Sequence, residues 1–215
     1  ISRPVNVDNN MNVSANAHVS FPVNKLKSRF SVGGNFRNSR SINILDEVAS
    51  TINQQSAGGN VRYNFRYKEI FDLSLTARID RQLNDYDFNQ EDQIFLNNNY
   101  TAESNLTFLK NYQFTANFEF LQYEDRVRDE IQEIPLLNLS VSRYMLKNKA
   151  GELKFGVNNL LDKALGINQT ASANYFERQV TNSLGRYFMV SFTYALNKQL
   201  NPMGMRRGGG IRILR

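Results

Sequence analysis

The chain has 215 residues, with 26 Lys and Arg against 20 Asp and Glu, a formal net charge of +6 and no cysteine. Without cysteine, disulfide frameworks, thiol nucleophiles and thiolate metal sites are excluded. No apolar run approaches the roughly 18 residues of a membrane-spanning helix, and no signal-peptide pattern opens at Ile1. The mean hydropathy of −0.49 does not exclude a membrane barrel, because its strands expose apolar residues at alternate positions only.

Apolar and polar residues alternate along nine segments, which predicts nine β-strands with one wet face each and no long helix. The apolar positions of the first four are Val13, Ala15, Ala17, Val19 and Phe21; Phe30, Val32, Gly34 and Phe36; Val61, Tyr63, Phe65 and Tyr67; and Phe71, Leu73, Leu75, Ala77 and Ile79. Those of the other five are Ile94, Leu96, Tyr100, Ala102, Leu106 and Phe108; Tyr112, Phe114, Ala116, Phe118 and Phe120; Leu137, Leu139 and Val141; Leu153, Phe155 and Val157; and Phe188, Val190, Phe192 and Tyr194. In the seventh segment Arg143 falls on the apolar parity, and a β-bulge near Ser142 would restore the alternation.

The connections between these segments alternate between short and long. The short ones are residues 22–27, 68–70, 109–111 and 147–150, and the long ones are 45–58, 80–93, 121–133 and 159–182. Aromatic residues flank three of the short turns on the apolar parity: Phe21 and Phe30, Tyr67 and Phe71, and Phe108 and Tyr112. Short periplasmic turns, long outer loops and an aromatic girdle are typical of bacterial outer-membrane barrels. The sequence therefore predicts an all-β fold, a transmembrane antiparallel up-and-down β-barrel.

The turn assignment also predicts orientation, with the long loops extracellular and the C-terminus in the periplasm. Bacterial single-chain barrels have an even number of strands with both ends periplasmic. We therefore expect these strands to be the C-terminal part of a larger barrel, completed by strands from upstream. Residues 1–196 are predicted to hold the C-terminal transmembrane strands with their long extracellular loops, and residues 197–215 a basic periplasmic tail.

The tail carries basic residues, no acidic residue and a glycine run at 208–210. Its basic residues are Lys198, Arg206, Arg207, Arg212 and Arg215. One interpretation is an unstructured tail, and the other is a periplasmic strap that docks an anionic partner. These five residues are the candidate partner-binding site of the sequence.

No other cluster predicts chemistry. His18 has no nucleophile and carboxylate pattern around it, so a lumen-lining role is expected. An acidic segment begins like a calcium loop, but Gln90 replaces the turn glycine and Leu96 the bidentate glutamate. Its potential ligands are Asp85, Asp87, Asn89, Glu91 and Asp92. We expect no enzyme activity, no metal and no cofactor.

The basic residues of the turns do not form the continuous stripe with stacking aromatics that nucleic acid requires. They are Lys25, Lys27, Lys68, Lys110, Lys147 and Lys149. No nucleic-acid partner is expected. The polar face predicted for the strands is of mixed charge, suited to water, a plug or an internal loop. It includes Asn60, Arg62, Asn64, Arg66, Arg78, Glu103, Asn105, Gln113, Asn117 and Glu119.

Two segments carry a family resemblance. IPLLNLSVSRYMLKNKAGELKFGVNNLLD at residues 134–162 and LGRYFMVSFTYAL at 184–196 resemble the closing strands of Bacteroidota-type outer-membrane barrels related to TonB-dependent receptors. The most specific piece is GVNNLLD at residues 156–162. The resemblance implies a transport or receptor barrel, although no TonB box, plug or regulatory domain lies in these residues.

Three functions follow as hypotheses. The first is an outer-membrane transport or receptor barrel, and the second is a structural barrel that scaffolds a multiprotein assembly without transport. The third is a soluble β-sandwich binding module. Under either of the two membrane-barrel hypotheses, the expected partners are outer-membrane lipid and lipopolysaccharide, other outer-membrane or periplasmic proteins, and the upstream part of the same barrel.

Overall fold

The computed structural model describes residues 10–45, 48–87, 92–163, 165–171, 176–182 and 185–195. Its strands are β1 (Met11–Val23), β2 (Ser28–Leu45), β3 (Val48–Tyr67), β4 (Phe71–Tyr86), β5 (Gln93–Phe108), β6 (Tyr112–Asp125), β7 (Glu130–Met145), β8 (Gly151–Asn158), β9 (Leu165–Ala171), β10 (Phe176–Asn182) and β11 (Tyr187–Tyr194). Two short 3-10 helices, Asn24–Leu26 and Lys147–Lys149, lie in turns. None of the described helices has the length and apolarity to cross a membrane.

Nine of the strands form one antiparallel sheet in the order β1 to β8 and then β11, so each strand of this sheet pairs with its neighbour in the chain. This up-and-down order confirms the nine predicted strands. The remaining two, β9 and β10, pair only with each other. That hairpin lies within the last predicted loop and was not predicted.

The register keeps the predicted apolar residues on one face of the sheet, here called the apolar face. Phe30 pairs with both Phe21 and Tyr63, and Tyr63 pairs in turn with Leu75. The same register of apolar partners continues to β11, where Val190 pairs with Phe155. Large apolar side chains on this face are exposed along the whole sheet. The opposite face, the polar face, carries the alternate residues.

The apolar face has the height of a membrane. On β4 it runs from Phe71 to Ile79, which is about 26 Å along a strand at roughly 3.3 Å per residue. A strand tilt of about 40° reduces this to about 20 Å, close to the roughly 25 Å apolar band of outer-membrane barrels. Beyond Ile79 the next residue on this face of β4 is Arg81, and the first polar residues beyond Tyr100 on β5 and Phe120 on β6 are Asn98 and Gln122, which pair with each other. The part of the apolar face that runs from Phe71 to Ile79 on β4, with its cross-strand partners, is called the apolar band below.

The strands continue well past the apolar band, so three predicted long loops are wrong in their extent. Most of residues 45–58, 80–93 and 121–133 is strand. One reason is a partial switch of parity, because above the band several apolar side chains lie on the polar face, while Leu83, Ile94 and Leu96 keep the parity of the apolar face. Ile134 is 2% exposed, Phe95 is 3% exposed, and Ile52 and Tyr86 pair directly and are also buried. Together with Tyr144, they are the buried apolar side chains of the described residues.

A compact turn replaces the predicted loop between β6 and β7. The Asp125 Oδ1 atom accepts hydrogen bonds from the backbone N–H groups of Val127 and Arg128, each at 3.1 Å. Asp129 then takes a left-handed backbone with φ of 54°. A side chain that caps its own turn in this way lets the two strands pair up to their tips.

The predicted bulge near Ser142 is wrong. β7 pairs without interruption with β6, where Tyr112 faces Arg143, and with β8 through Met145. Arg143 therefore lies on the apolar face, with its guanidinium carbon 5.7 Å from the centre of the Tyr112 ring. Tyr144 lies buried on the polar face and donates a 2.9 Å hydrogen bond to the Gln113 Oε1 atom. No bulge is needed because a long arginine at the end of the apolar band can reach past it to water.

Candidate functional site

The polar face carries charged or amide side chains on strands β1 to β8 of the main sheet and hydroxyl side chains, Ser191 and Thr193, on β11. One row of cross-strand partners on this face joins Arg29, Asn64, Ser74, Glu103 and Asn117. All ten lining residues predicted from the sequence lie on this face. The register thus confirms the predicted wet face, whose local cause is strict alternation within the apolar band.

Two ion pairs on this face differ in geometry and in burial: Arg66 and Asp72 are cross-strand partners on β3 and β4, whereas Arg78 and Asp80 lie two residues apart on β4. The Arg66 Nε atom lies 2.6 Å from Asp72 Oδ1, and the side chains are 60% and 4% exposed respectively. The Arg78 Nε atom lies 2.5 Å from Asp80 Oδ2, with 60% and 30% exposed. Both carboxylates belong to β4, and both guanidinium groups reach solvent. The carboxylate partners were not identified from the sequence, although their even-numbered parity in β4 already places them on this face.

Two other arginines of this face, Arg29 on β2 and Arg62 on β3, have no such carboxylate partner among the described residues. Arg62 is diagonal to Arg29, because its direct cross-strand neighbour is Ser31, and diagonal neighbours lie about 7–8 Å apart. The Arg62 Nε atom donates to Thr76 Oγ1 at 3.2 Å. Among the described residues, no carboxylate lies within ion-pair distance of either guanidinium group. This pair is called the arginine diagonal.

Amide side chains cover the neighbouring part of the polar face. Asn99 donates from Nδ2 to Glu119 Oε1 at 3.0 Å, and Thr115 donates to Asn105 Oδ1 at 2.9 Å. Other polar atoms there are buried without a hydrogen-bond partner among the described residues: Asn84 Nδ2, Asn97 Oδ1, Asn99 Oδ1 and Thr107 Oγ1. Buried polar groups need partners, so this surface is suited to water or a polar solute and poorly suited to a dry core.

His18 lies on the polar face of β1, opposite Gly33. A Cβ atom on Gly33 would lie 3.1 Å from His18 Nδ1 and 2.6 Å from Asn60 Oδ1. The glycine therefore leaves room for both polar side chains, and these contacts place His18 in the lining. In the parts of the chain that the structure describes, no three His, Asp or Glu residues are grouped to hold a metal ion.

The predicted acidic segment is only partly described. Asp85 lies near the end of β4, and Asp92 Oδ1 accepts a hydrogen bond from the Tyr86 backbone N–H at 3.4 Å. Asn89 and Glu91 lie outside the described residues, as do all five candidate partner-binding residues of the tail. The structure therefore brings together the lining residues only.

Comparison with known proteins gives one family and one structural likeness. The outer membrane protein beta-barrel family matches residues 51–194. No curated protein matches the chain significantly. Two solved structures of OmpT, an outer membrane protein of Vibrio cholerae, are similar to it. The first, folded in vitro, has a TM-score of 0.50 and 10% identity, and covers 85% of this chain and 55% of its own.

The second, the trimer form of OmpT, has a TM-score of 0.50 and 9% identity, and covers 86% of this chain and 56% of its own. The chain thus spans little more than half the length of OmpT. At such low identity the likeness shows the fold alone.

Proposed function

Since this chain belongs to the outer membrane protein beta-barrel family, we propose that it acts in the bacterial outer membrane as a transport or receptor barrel whose polar face lines the solute path. The nine-stranded sheet forms part of the wall of this barrel, with its apolar face toward lipid. The relation to TonB-dependent receptors remains a hypothesis that rests on residues 134–162 and 184–196. Completion of the wall by upstream strands likewise remains a prediction.

The arginine diagonal is the observation that carries the proposal. Arg29 and Arg62 present charge on the polar face at the height of the apolar band without a neutralising carboxylate among the described residues. Keeping a guanidinium group ionised in a low-dielectric interior is costly, so the face must be hydrated. Charge of one sign along a narrow aqueous path raises the local concentration of counter-ions. The favoured solutes are therefore polar and include anions.

We also propose an orientation, with the short turns in the periplasm and the extended strands outside. It is supported by the difference between the two edges of the sheet, since outer-membrane barrels have short turns in the periplasm and longer connections outside. Tyr67, Phe71, Phe108 and Tyr112 place the short turns at a membrane interface, which aromatic side chains favour. The extension of the strands past the apolar band supports a surface that receives ligands outside. Protease accessibility of the turn at Asp125 in intact cells would test this orientation, because a periplasmic turn would be protected.

The scaffold alternative deserves a test because the same strand extension also offers a wall to which other proteins could bind. The two hypotheses differ in one measurable property, a solute path. A protein inserted in planar bilayers conducts ions in the first case. A scaffold without a path gives no conductance above that of the bare bilayer.

The experiment measures reversal potential under a salt gradient for the native protein and for Arg29→Ser and Arg62→Ser. We expect both variants to lose part of the preference for chloride over potassium. Arg81→Ser is the matched control, since Arg81 is exposed on β4 but lies outward above the band. If Arg62→Ser conducts ions with an unchanged preference for chloride over potassium, the solute path does not pass the arginine diagonal. If the native protein shows neither conductance nor ligand uptake, the scaffold hypothesis is favoured.

A further inference from the structure

A groove of about 270 Å³ lies on the apolar face across β6, β7, β8 and β11. Phenyl rings of Phe114 and Phe155 flank Val141, and the smaller Val190 follows on the next strand. This alternation of large and small side chains along one row produces the depression. Its volume approaches the lower end of the roughly 300–1,000 Å³ that small-molecule sites occupy. Because it opens on the face turned to lipid, its occupant is a hydrocarbon chain.

A positively charged side chain, that of Arg143, lies at one end of this groove. Arg143 follows Val141 on the apolar face of β7, toward the short turns. Its guanidinium group lies against the Tyr112 ring, and no described carboxylate lies within ion-pair distance of it. A guanidinium group at the edge of hydrocarbon is best neutralised by a phosphate, which it can bind through two parallel hydrogen bonds.

The turns beneath the groove add further positive charge. The Lys149 Nζ atom donates a 2.8 Å hydrogen bond to the backbone carbonyl of Lys110, which joins the two adjacent turns. Lys110 and Lys149 have φ angles of 60° and 55°, where glycine or asparagine would be less strained. Lysine at both positions therefore supplies charge at some conformational cost. Lys147, in the second of these turns, adds a third cation.

We propose that this surface is a binding site for one anionic phospholipid in the membrane leaflet that meets the short turns. The phosphate is bound by Arg143, with the turn lysines attracting the headgroup. A segment of one acyl chain lies in the groove between Phe114 and Phe155. The site requires insertion of the sheet in a membrane but does not depend on a solute path.

These 215 residues contain no tryptophan, so Tyr112→Trp places the one tryptophan of this part of the barrel next to Arg143, and any tryptophan of upstream strands is first replaced by phenylalanine. Protein carrying this change is inserted in phosphatidylcholine vesicles that contain either brominated phosphatidylglycerol or brominated phosphatidylcholine. Quenching of the tryptophan then reports which lipid occupies the site. We expect an association constant about five-fold higher for the anionic lipid, the effect of one basic residue near an anionic surface. Tyr100→Trp is the matched control at the other edge of the apolar band, where we expect no preference.

Two further changes in the Tyr112→Trp background separate headgroup from chain. Arg143→Gln should abolish the preference, while Arg143→Lys, which keeps the charge, should retain most of it. Val190→Phe fills the groove and should lower the association constants of both lipids by half or more while the preference for the anionic lipid persists. An undiminished preference in Arg143→Gln, or an equal one at the Tyr100→Trp reporter, would overturn the site. Unchanged association constants of both lipids in Val190→Phe would overturn the position proposed for the acyl chain.

Discussion

Neutralising Asp72 tests whether burial decides the energetic value of an ion pair on the polar face. Asp72 and Asp80 both lie on β4, both face the polar side and both bind an arginine Nε atom. They differ in exposure, because the Asp72 side chain is 4% exposed and that of Asp80 is 30% exposed. Asp72→Asn and Asp80→Asn therefore make the same chemical change at two sites that differ in burial and also in geometry, since the Asp72 pair joins β3 to β4 and the Asp80 pair lies within β4.

The structure sets the expected magnitudes. Removing one partner of a fully buried ion pair costs about 3–5 kcal/mol, whereas exposed pairs contribute about 0–1 kcal/mol. Arg66 reaches solvent, and asparagine retains an accepting oxygen, so Asp72→Asn should fall between these limits. We expect it to lower the free energy of unfolding by about 2 kcal/mol, a roughly 30-fold change in the ratio of folded to unfolded protein. Asp80→Asn should cost less than about 1 kcal/mol.

Urea titration of the protein in lipid vesicles, with extrapolation to zero denaturant, measures both values. Gel mobility with and without heating reports the folded fraction independently. The slope of the titration must be equal in the variants, since a changed slope would indicate a changed unfolded state. Equal losses for the two variants, or a loss below about 0.5 kcal/mol for Asp72→Asn, the range of ordinary surface changes, would refute the reasoning from burial.

Two further predictions concern the packing of the polar face and the tail. Gly58→Ala places a Cβ atom against Asp80 Oδ1 and should cost about 1–2 kcal/mol through forced displacement. Gly59→Ala, whose Cβ would lie 3.7 Å from the Gly33 carbonyl oxygen, should stay within about 0.5 kcal/mol in the same titration. Deletion of residues 203–215 should leave insertion unchanged but release anionic partners that co-purify with the protein; retention of every partner would contradict the docking role of the tail.

The sequence predicts the membrane part of the fold well because one physical rule governs it. From Phe71 to Ile79 each second residue meets lipid, so alternation alone assigns both faces. The rule also assigns Arg62 to the polar face. Arg143 breaks the alternation, because it is a charged residue on the apolar face at the end of the band, where a long charged side chain is tolerated. This exception led to the wrong prediction of a bulge near Ser142. Alternation cannot predict the different burial of Asp72 and Asp80, because both residues lie on the same face of β4. Their burial depends on the side chains that surround them.

The same rule explains why the predicted loops are strands. Outside the membrane the solvent on the outer side of the sheet changes from lipid to water, so the apolar side chains must move to the opposite parity to be buried. Ile52, Phe95 and Ile134 do so. A search for a single apolar parity therefore ends the predicted segments of β3 and β7 at this switch, although the backbone hydrogen bonds continue across it. On these strands the point of inversion marks the edge of the apolar band far from the short turns, and it divides the strand into a part whose apolar side chains face lipid and a part that buries apolar side chains on the polar face.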